Sequence, residues 1–231
     1  MERLDEYRKA FAGCEFDRKE AKHLEDSVDA RTIDEIVEGY HSIAHSKGNY
    51  TTYHLAAARK ASKLVYTNDE LNALCRNISG YFGKRSAISR AWEYILSDQL
   101  DIRPRDYEGI YISALAQSLC WQDGVVEISP SEPLSFLGFL HNKGKLVING
   151  NAAVCLGREM SGGKIVLKGN AGNFAGSFMR GGELVIEGNC GKYPGEVMAY
   201  GAIKVNGKIK KFDSNRVLFG EIWAQGRRIF P

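Results

Sequence analysis

The sequence predicts an α+β chain of two domains: an all-α helical domain over 1–122 and a single-stranded, right-handed β-helix over 123–231. Three observations lead there. Glycines recur every 19 residues at Gly144, Gly163, Gly182 and Gly201, and a short fixed period marks a stacked repeat. Nineteen residues are too few for two packed helices, and the runs Lys145–Asn149, Lys164–Lys168, Glu183–Glu187 and Ala202–Asn206 are β-branched and alternating, which is strand patterning. Before Gly124 the apolar residues follow helical spacing instead.

Within each coil, residues two apart on a strand point to one face. Leu146, Ile165, Leu184 and Ile203 therefore form one inward column, and Ile148, Leu167, Ile186 and Val205 a second. Val147, Val166 and Val185 face the other way, where a further layer would cover them. Nineteen residues give a perimeter of about 60 Å, enough for two or three short sides. Gly150, Gly169 and Gly188, then Gly157, Gly176 and Gly195, mark bends or positive φ. Asn151, Asn170 and Asn189 align as a ladder of side-chain amides, with the middle rung, Asn170, expected to matter most. Met160, Met179 and Met198 make another column. Gly124 opens a degenerate coil carrying Val125, Val126 and Ile128, distorted by Pro130 and Pro133, so Asp123–Asn142 is the predicted joint. After Lys208 the repeat dissolves. Phe219, Ile222 and Trp223 in the tail Arg216–Pro231 are predicted to fold over the open end of the coils, or onto a neighbour.

In the first half, Thr67–Glu70 reads as a capping box ahead of Leu71, Leu74, Cys75, Ile78 and Phe82. Ser86 caps a second amphipathic run, Ile88, Ala91, Trp92, Ile95 and Leu96. Pro104 opens a helix with Ile110, Ala114, Leu115 and Leu119. Helices near 31–46 and 50–66 are separated by Ser46–Asn49. Leu4, Tyr7 and Phe11 mark a short first helix, and a polar segment near 17–27 is a candidate for another. The starts fall about 19 residues apart, which leaves open a stack of helix hairpins beside the simpler irregular bundle.

The 231 residues carry 31 Lys and Arg against 28 Asp and Glu. Basic and acidic residues number 17 and 19 in 1–122, and 14 and 9 in 123–231. This mild, dispersed excess is short of a nucleic-acid footprint. No apolar run approaches a membrane span and the charged start is unlike a signal peptide, so a cytoplasmic chain without a membrane or nucleic-acid partner is expected. The five cysteines, at positions 14, 75, 120, 155 and 190, include no CxxC pair. Reduced, buried thiols are the expected state.

Candidate sites are few. Asp34, Glu38, His41 and His45 lie on one line of a helix, and two His four apart is a metal-ligand spacing. His54 on the next helix would join them if that face were covered. Ile33, Ile36, Val37, Tyr40, Ile43 and Ala44 form the opposite face, so the polar line reads first as a solvated surface. Gly157–Lys164 glances at a phosphate loop, but its lysine spacing is wrong and Ile165 stands where Ser or Thr should hold magnesium. Lys84, Arg85 and Arg90 around the Ser86 cap permit a helix-turn-helix reading, which the acidic balance of this half opposes. No catalytic set, cofactor or metal is assigned.

The segments GNAAVCLGREMSGG (Gly150–Gly163), GNAGNFAGSFMRGG (Gly169–Gly182) and GNCGKYPGEVMAYG (Gly188–Gly201) resemble the glycine-patterned (GXGXG) β-helix domain at the C-terminus of the glutamate synthase large subunit. A similar repeat occurs in formylmethanofuran dehydrogenase. The resemblance covers about residues 124–212 and implies a structural element rather than a centre of chemistry. It implies a non-catalytic assembly module with a protein partner or a homo-oligomer. The alternatives are an accessory subunit of an oxidoreductase or amidotransferase-type complex, and a metal-dependent enzyme built on the N-terminal helices.

Overall fold

The structure, a computed structural model, describes residues 30–43, 50–76 and 104–231. The expected elements before residue 30, the break at 46–49, the Ser86-capped helix and the basic residues 84–90 lie outside these. The described residues contain four helices, α1 (Ala30–Ile43), α2 (Tyr50–Ala61), α3 (Asn68–Arg76) and α4 (Pro104–Asp123). Helix α2 ends before the predicted 66. Lys63 N–H donates to Lys60 O at 2.9 Å and Leu64 N–H to Ala61 O at 3.2 Å, the tightened i→i+3 bonds of a terminating turn. Three residues on, the capping box forms reciprocally: Thr67 N–H donates to Glu70 Oε2 at 2.7 Å, and Glu70 N–H to Thr67 Oγ1 at 3.3 Å.

From Gly124 the chain winds into a β-solenoid of about five turns. Its main sheet runs β1 (Val125–Ile128), β2 (Lys145–Ile148), β3 (Ser161–Leu167), β4 (Arg180–Ile186), β6 (Tyr200–Val205), β8 (Glu221–Ala224) and β9 (Arg227–Phe230), in that order. All neighbours are parallel except β8 and β9. The 19-residue register is direct: Leu146 pairs with Ile165, Ile165 with Leu184, Leu184 with Ile203, and Ile203 with Ile222. Both predicted inward columns are at most 1% exposed, and Met160, Met179 and Met198 are fully buried. His141 and Val217 fill the methionine column in the flanking coils. Of the outward valines, Val147 is buried, while Val166 and Val185 are half-covered.

A second side is made by the bridges Leu134–Ala152–Ala171–Cys190 and by β5 (Cys190–Lys192) pairing with β7 (Ile209–Lys211). The third side is built of paired tight turns, and its backbone is left-handed at three alternate residues per coil. Cys155, Gly157 and Glu159 have φ of 61°, 65° and 56°; Phe174, Gly176 and Phe178 have 62°, 66° and 57°; Tyr193, Gly195 and Val197 have 56°, 70° and 56°. Each non-glycine position costs about 1–2 kcal/mol. The compensation is visible in the hydrogen bonds. Cys155 N–H donates to Asn173 O and Glu159 N–H to Ser177 O, both at 2.9 Å, while Gly157 N–H reaches back to Leu137 O at 2.8 Å. Alternating the backbone hand points successive amides up and down the stack.

The glycines serve two different needs. Gly157, Gly176 and Gly195 are left-handed. Gly169 and Gly188 are required by close approach: a Cβ on Gly169 would lie 2.2 Å from Gly150 O, and one on Gly188 2.7 Å from Gly169 O.

The tail covers the last coil of its own chain through Ile222 and Trp223, as predicted, but as a further coil and without Phe219. The repeat does not dissolve after Lys208, because Val217, Gly220 and Ile222 continue the columns of Met198, Gly201 and Ile203. Ile222 is fully buried as a core rung, whereas Phe219 is 64% exposed. The end is finished by β9, which turns back through Gln225 and Gly226 at φ of 50° and 74°, a hairpin geometry that matches strand twist. Phe230 and Phe212 pack partly buried against the core.

The helices close the other end, and one continuous apolar cluster runs through both parts. Helix α4 approaches so closely that a Cβ on Gly109 would lie 1.8 Å from Ser135 O. Its buried polar side chains dock the first coil. Ser113 Oγ donates to Phe136 O at 3.0 Å and accepts from Gly138 N–H at 2.9 Å. One turn on, Gln117 Nε2 donates to Lys143 O at 3.2 Å and its Oε1 accepts from Asn142 N–H at 2.9 Å. Helix α3 lies along β1. Asn68 Oδ1 accepts from Glu127 N–H, Asn72 Oδ1 accepts from Ser129 N–H, and Asn72 Nδ2 donates to Glu127 O. An otherwise open strand edge is thereby covered by side-chain amides.

Candidate functional site

The repeat's polar side chains are committed to joining coils. Asn151 Oδ1 accepts from Asn170 N–H, Asn170 Oδ1 from Asn189 N–H, and Asn189 Oδ1 from Lys208 N–H, each at 2.8 Å. Asn170 Nδ2 also donates to Asn151 Oδ1 at 3.2 Å. The ladder thus runs mainly from side-chain oxygen to backbone, and its asparagines are exposed rather than buried. Asn173 repeats the device one corner on, accepting from Lys192 N–H at 2.8 Å. Its column holds Val154 and Lys192, so no repeat signal announces it.

Charged groups also span coils. Glu183 lies 2.7 Å from Lys164 and 2.6 Å from Lys204, and the two ammonium donors hold its carboxyl below the usual range. Glu127 accepts from Asn149 and Lys168, with the same effect. On the turn side, Arg158 lies 4.4 Å over the Phe178 ring and Arg216 4.3 Å over Tyr193. Phe174 stacks on Tyr193 at 5.9 Å. Lys211, with the neighbouring cations Arg216 and Lys192, lowers the Tyr193 phenol from its ordinary value.

Asp34 and Glu38 on α1 are exposed. His41 lies on the same helix, and His45 lies outside the described residues. His54 points elsewhere: it is buried, its ring edge-on to Phe139 at 5.5 Å across the junction with the first coil. Burial lowers its pKa to about 4, and among the described residues its Nε2 has no hydrogen-bond partner, nor has the neighbouring buried Tyr53 hydroxyl. Among the described residues no group of three or more His, Cys, Asp or Glu is arranged to hold a metal ion. Gly157–Lys164 forms repeat turns running into β3, and Lys164 is paired with Glu183. Cys75, Cys120, Cys155 and Cys190 are buried. Burial pushes the Cys190 thiol up to about 12 and the Cys75 thiol higher still, far from nucleophilic range. No helix among the described residues is long and apolar enough to cross a membrane.

The surface changes character in the last two coils. Between Val126 and Glu196 no large apolar side chain is exposed, but Val197, Tyr200, Leu218, Phe219 and Ile229 all are. Tyr200 and Phe219 are 65% and 64% exposed and stack with ring centroids 6.3 Å apart. They occupy the column that holds Gly162 and Gly181 in the preceding coils, where a Cβ would meet Asn142 O at 2.4 Å and Ser161 O at 2.6 Å. Aligning the coils shows two aromatics replacing two glycines, a signal that the core columns and glycine spacing alone do not bring out. No family model, curated protein or solved structure matches the chain.

Proposed function

We propose that this chain is a non-catalytic assembly module, with the coils as a stiff spacer between a helical end and a docking end. The observation supporting this is the contrast between the two ends. The first is closed by α3 and α4, whose Asn68, Asn72, Ser113 and Gln117 bond the first coil. The last presents the outer edge of β9 and the stacked, exposed pair Tyr200 and Phe219, whereas the exposed aromatic of the helical end, Trp121, lies under the Lys143 ammonium at 4.7 Å. Such patches on soluble proteins mark interaction sites.

On this reading the coils are similar in kind to the β-helix domain of the glutamate synthase large subunit and to the repeat of formylmethanofuran dehydrogenase. Their winding is right-handed, the hand that parallel strand connections take in about 98% of cases. An accessory subunit of an oxidoreductase or amidotransferase-type complex is the form of this reading with obligate partners.

The test is native size with mass spectrometry of material isolated from its source. A stable complex larger than the 25.7 kDa chain is expected. A lone monomer that turns over a substrate would overturn the assembly reading.

A further inference from the structure

We infer that the basic rim of the last coil, Lys208, Lys210, Lys211 and Arg227, is a guard that stops two copies of this chain from stacking end to end. Such a guard is independent of the assembly reading above, because it bears on a second copy and not on another partner.

The solenoid ends unevenly. On the second side β7 has one neighbour among the described residues, β5. Cys190 N–H donates to Lys208 O at 2.9 Å and Tyr193 N–H to Lys211 O at 2.8 Å. Alternation along the strand turns the N–H and C=O of Ile209, between them, off the end of the stack. Ile209 is also the last rung of the inward column Ala152, Ala171 and Cys190, and it is only half-buried. An uncovered core rung beside an open strand edge is a template for another chain. One repeat after Lys208–Lys211, the next rung would be Arg227–Phe230. In that register Arg228 would enter the inward column, where an unpaired charge is costly. The turn at Gln225 and Gly226 instead lays this segment on β8 as β9, and β7 stays uncovered.

The outward positions around that opening become basic only as the end is reached. Successive coils hold Asn151, Ala153 and Val154, then Asn170, Gly172 and Asn173, then Asn189, Gly191 and Lys192, and at the open end Lys208, Lys210 and Lys211. These last three are exposed, as is Arg227. Glu183, Glu196 and Glu221 pair instead with Lys204, Arg216 and Arg228. The edge of the main sheet is blunted by other means. Strand β9 has 4 residues, Ile229 is skipped where the pairing with β8 shifts, and Pro231 follows. Short edge strands, bulges, prolines and lysines are the features by which sheets avoid edge-to-edge pairing.

Charge of one sign is sufficient because the two ends differ. The first coil is covered by α3 and α4, so the last coil of one copy has no open coil to continue onto in the next. The open end can meet only its own kind, about a two-fold axis, and such a contact sets each surface against itself. Lysines then face lysines, and like charges opposite one another destabilise a strand pair.

The test is light scattering of the full chain and of variants at the rim. Lys208→Asn/Lys210→Gly/Lys211→Asn gives the rim the residues of the coil at 170–173. This neutral variant is expected at twice the 25.7 kDa chain mass or above, under conditions where the unchanged chain is a monomer. In about 1 M salt, which shortens the screening length to ~3 Å, the unchanged chain should associate too. Lys208→Glu/Lys210→Glu/Lys211→Glu should be monomeric alone, because carboxylates repel one another as lysines do. Mixed with the unchanged chain, it should form an equimolar complex that salt dissociates, an outcome that does not depend on how well the neutral variant folds. Adding Tyr200→Ser/Phe219→Ser to the neutral variant should leave its association in place. A neutral variant that stays monomeric with an unchanged melting temperature would overturn the guard. So would a glutamate variant that ignores the unchanged chain, or association that is lost with Tyr200 and Phe219. An unchanged chain that is already dimeric at low salt, and that the glutamate changes split, would overturn it as well.

Discussion

At the scale of single residues, the asparagine column shows how one side chain replaces a whole strand contact. Its exposed amides hold backbone N–H groups at the corner where the coil leaves the sheet. A net hydrogen bond there contributes about 0.5–1.5 kcal/mol. The repeat pattern singles out Asn170 as the dominant rung, but the contacts give another order. Asn151 and Asn170 each take part in the side-chain bond between them as well as accepting from the next coil, whereas Asn189 makes one such bond. Denaturant midpoints of Asn151→Ala and Asn170→Ala should therefore fall together, and that of Asn189→Ala should fall less. A drop confined to Asn170→Ala would restore the mid-ladder picture.

At the scale of elements, strand phase is the most legible feature. Period-2 alternation and the 19-residue repeat together place Ile186 inside and Glu187 outside, and the structure has Ile186 fully buried and Glu187 exposed. Ile186→Ala should cost about 2–5 kcal/mol, and Glu187→Ala no more than about 0.5 kcal/mol; equal shifts in urea midpoint would contradict that phase. The turn side is not legible, and for a physical reason. Only the middle of its three left-handed residues is glycine. Cys155, Glu159, Phe174 and Phe178 are held at positive φ by amides bonded to the next coil, a tertiary effect that composition does not reveal. The α3–β1 edge is hidden likewise. Asn68 reads only as part of a capping box and Asn72 lies off the apolar stripe begun by Leu71, and their role depends on a strand more than fifty residues away. The site is less legible than the fold. The Asp34–Glu38 line faces out as its apolar opposite face implies, but exposure of Tyr200 and Phe219 depends on how the last coils pack, which the repeat pattern does not state.

At the scale of the whole molecule, the junction between helices and coils carries a pH dependence. His54 is buried against Phe139, with its Nε2 unpartnered among the described residues, and its pKa falls from 6.5 to about 4. Between those values the unfolded chain binds a proton that the folded chain does not, so stability rises with pH across the window and is lost on acidification. A shift of that size corresponds to about 3 kcal/mol between neutral pH and pH 4. His54→Leu should flatten this slope while leaving stability near neutral pH little changed. The measurement is urea midpoint against pH for both proteins, and parallel curves would show that His54 does not govern the dependence.

The opposite end makes a separate demand on the whole molecule. Truncation after Phe212 removes Val217, Ile222, β8 and β9 together, which uncovers Ile203 and Val205 and leaves β6 as a bare edge. Each large aliphatic exposed forfeits roughly 1.5–3 kcal/mol, and an unpaired parallel strand is a template for end-to-end association. Because Ile222 is a core rung rather than part of a loose lid, the truncated chain should aggregate or shift to larger species in light scattering. Phe219→Ser alone, changing an exposed side chain, should leave the melting temperature within a few degrees. If the truncated chain remained a soluble monomer as stable as the full one, the last coil would be an ornament on a solenoid already complete at β6. The burial of Ile222 between Ile203 and the β9 hairpin argues for the first outcome.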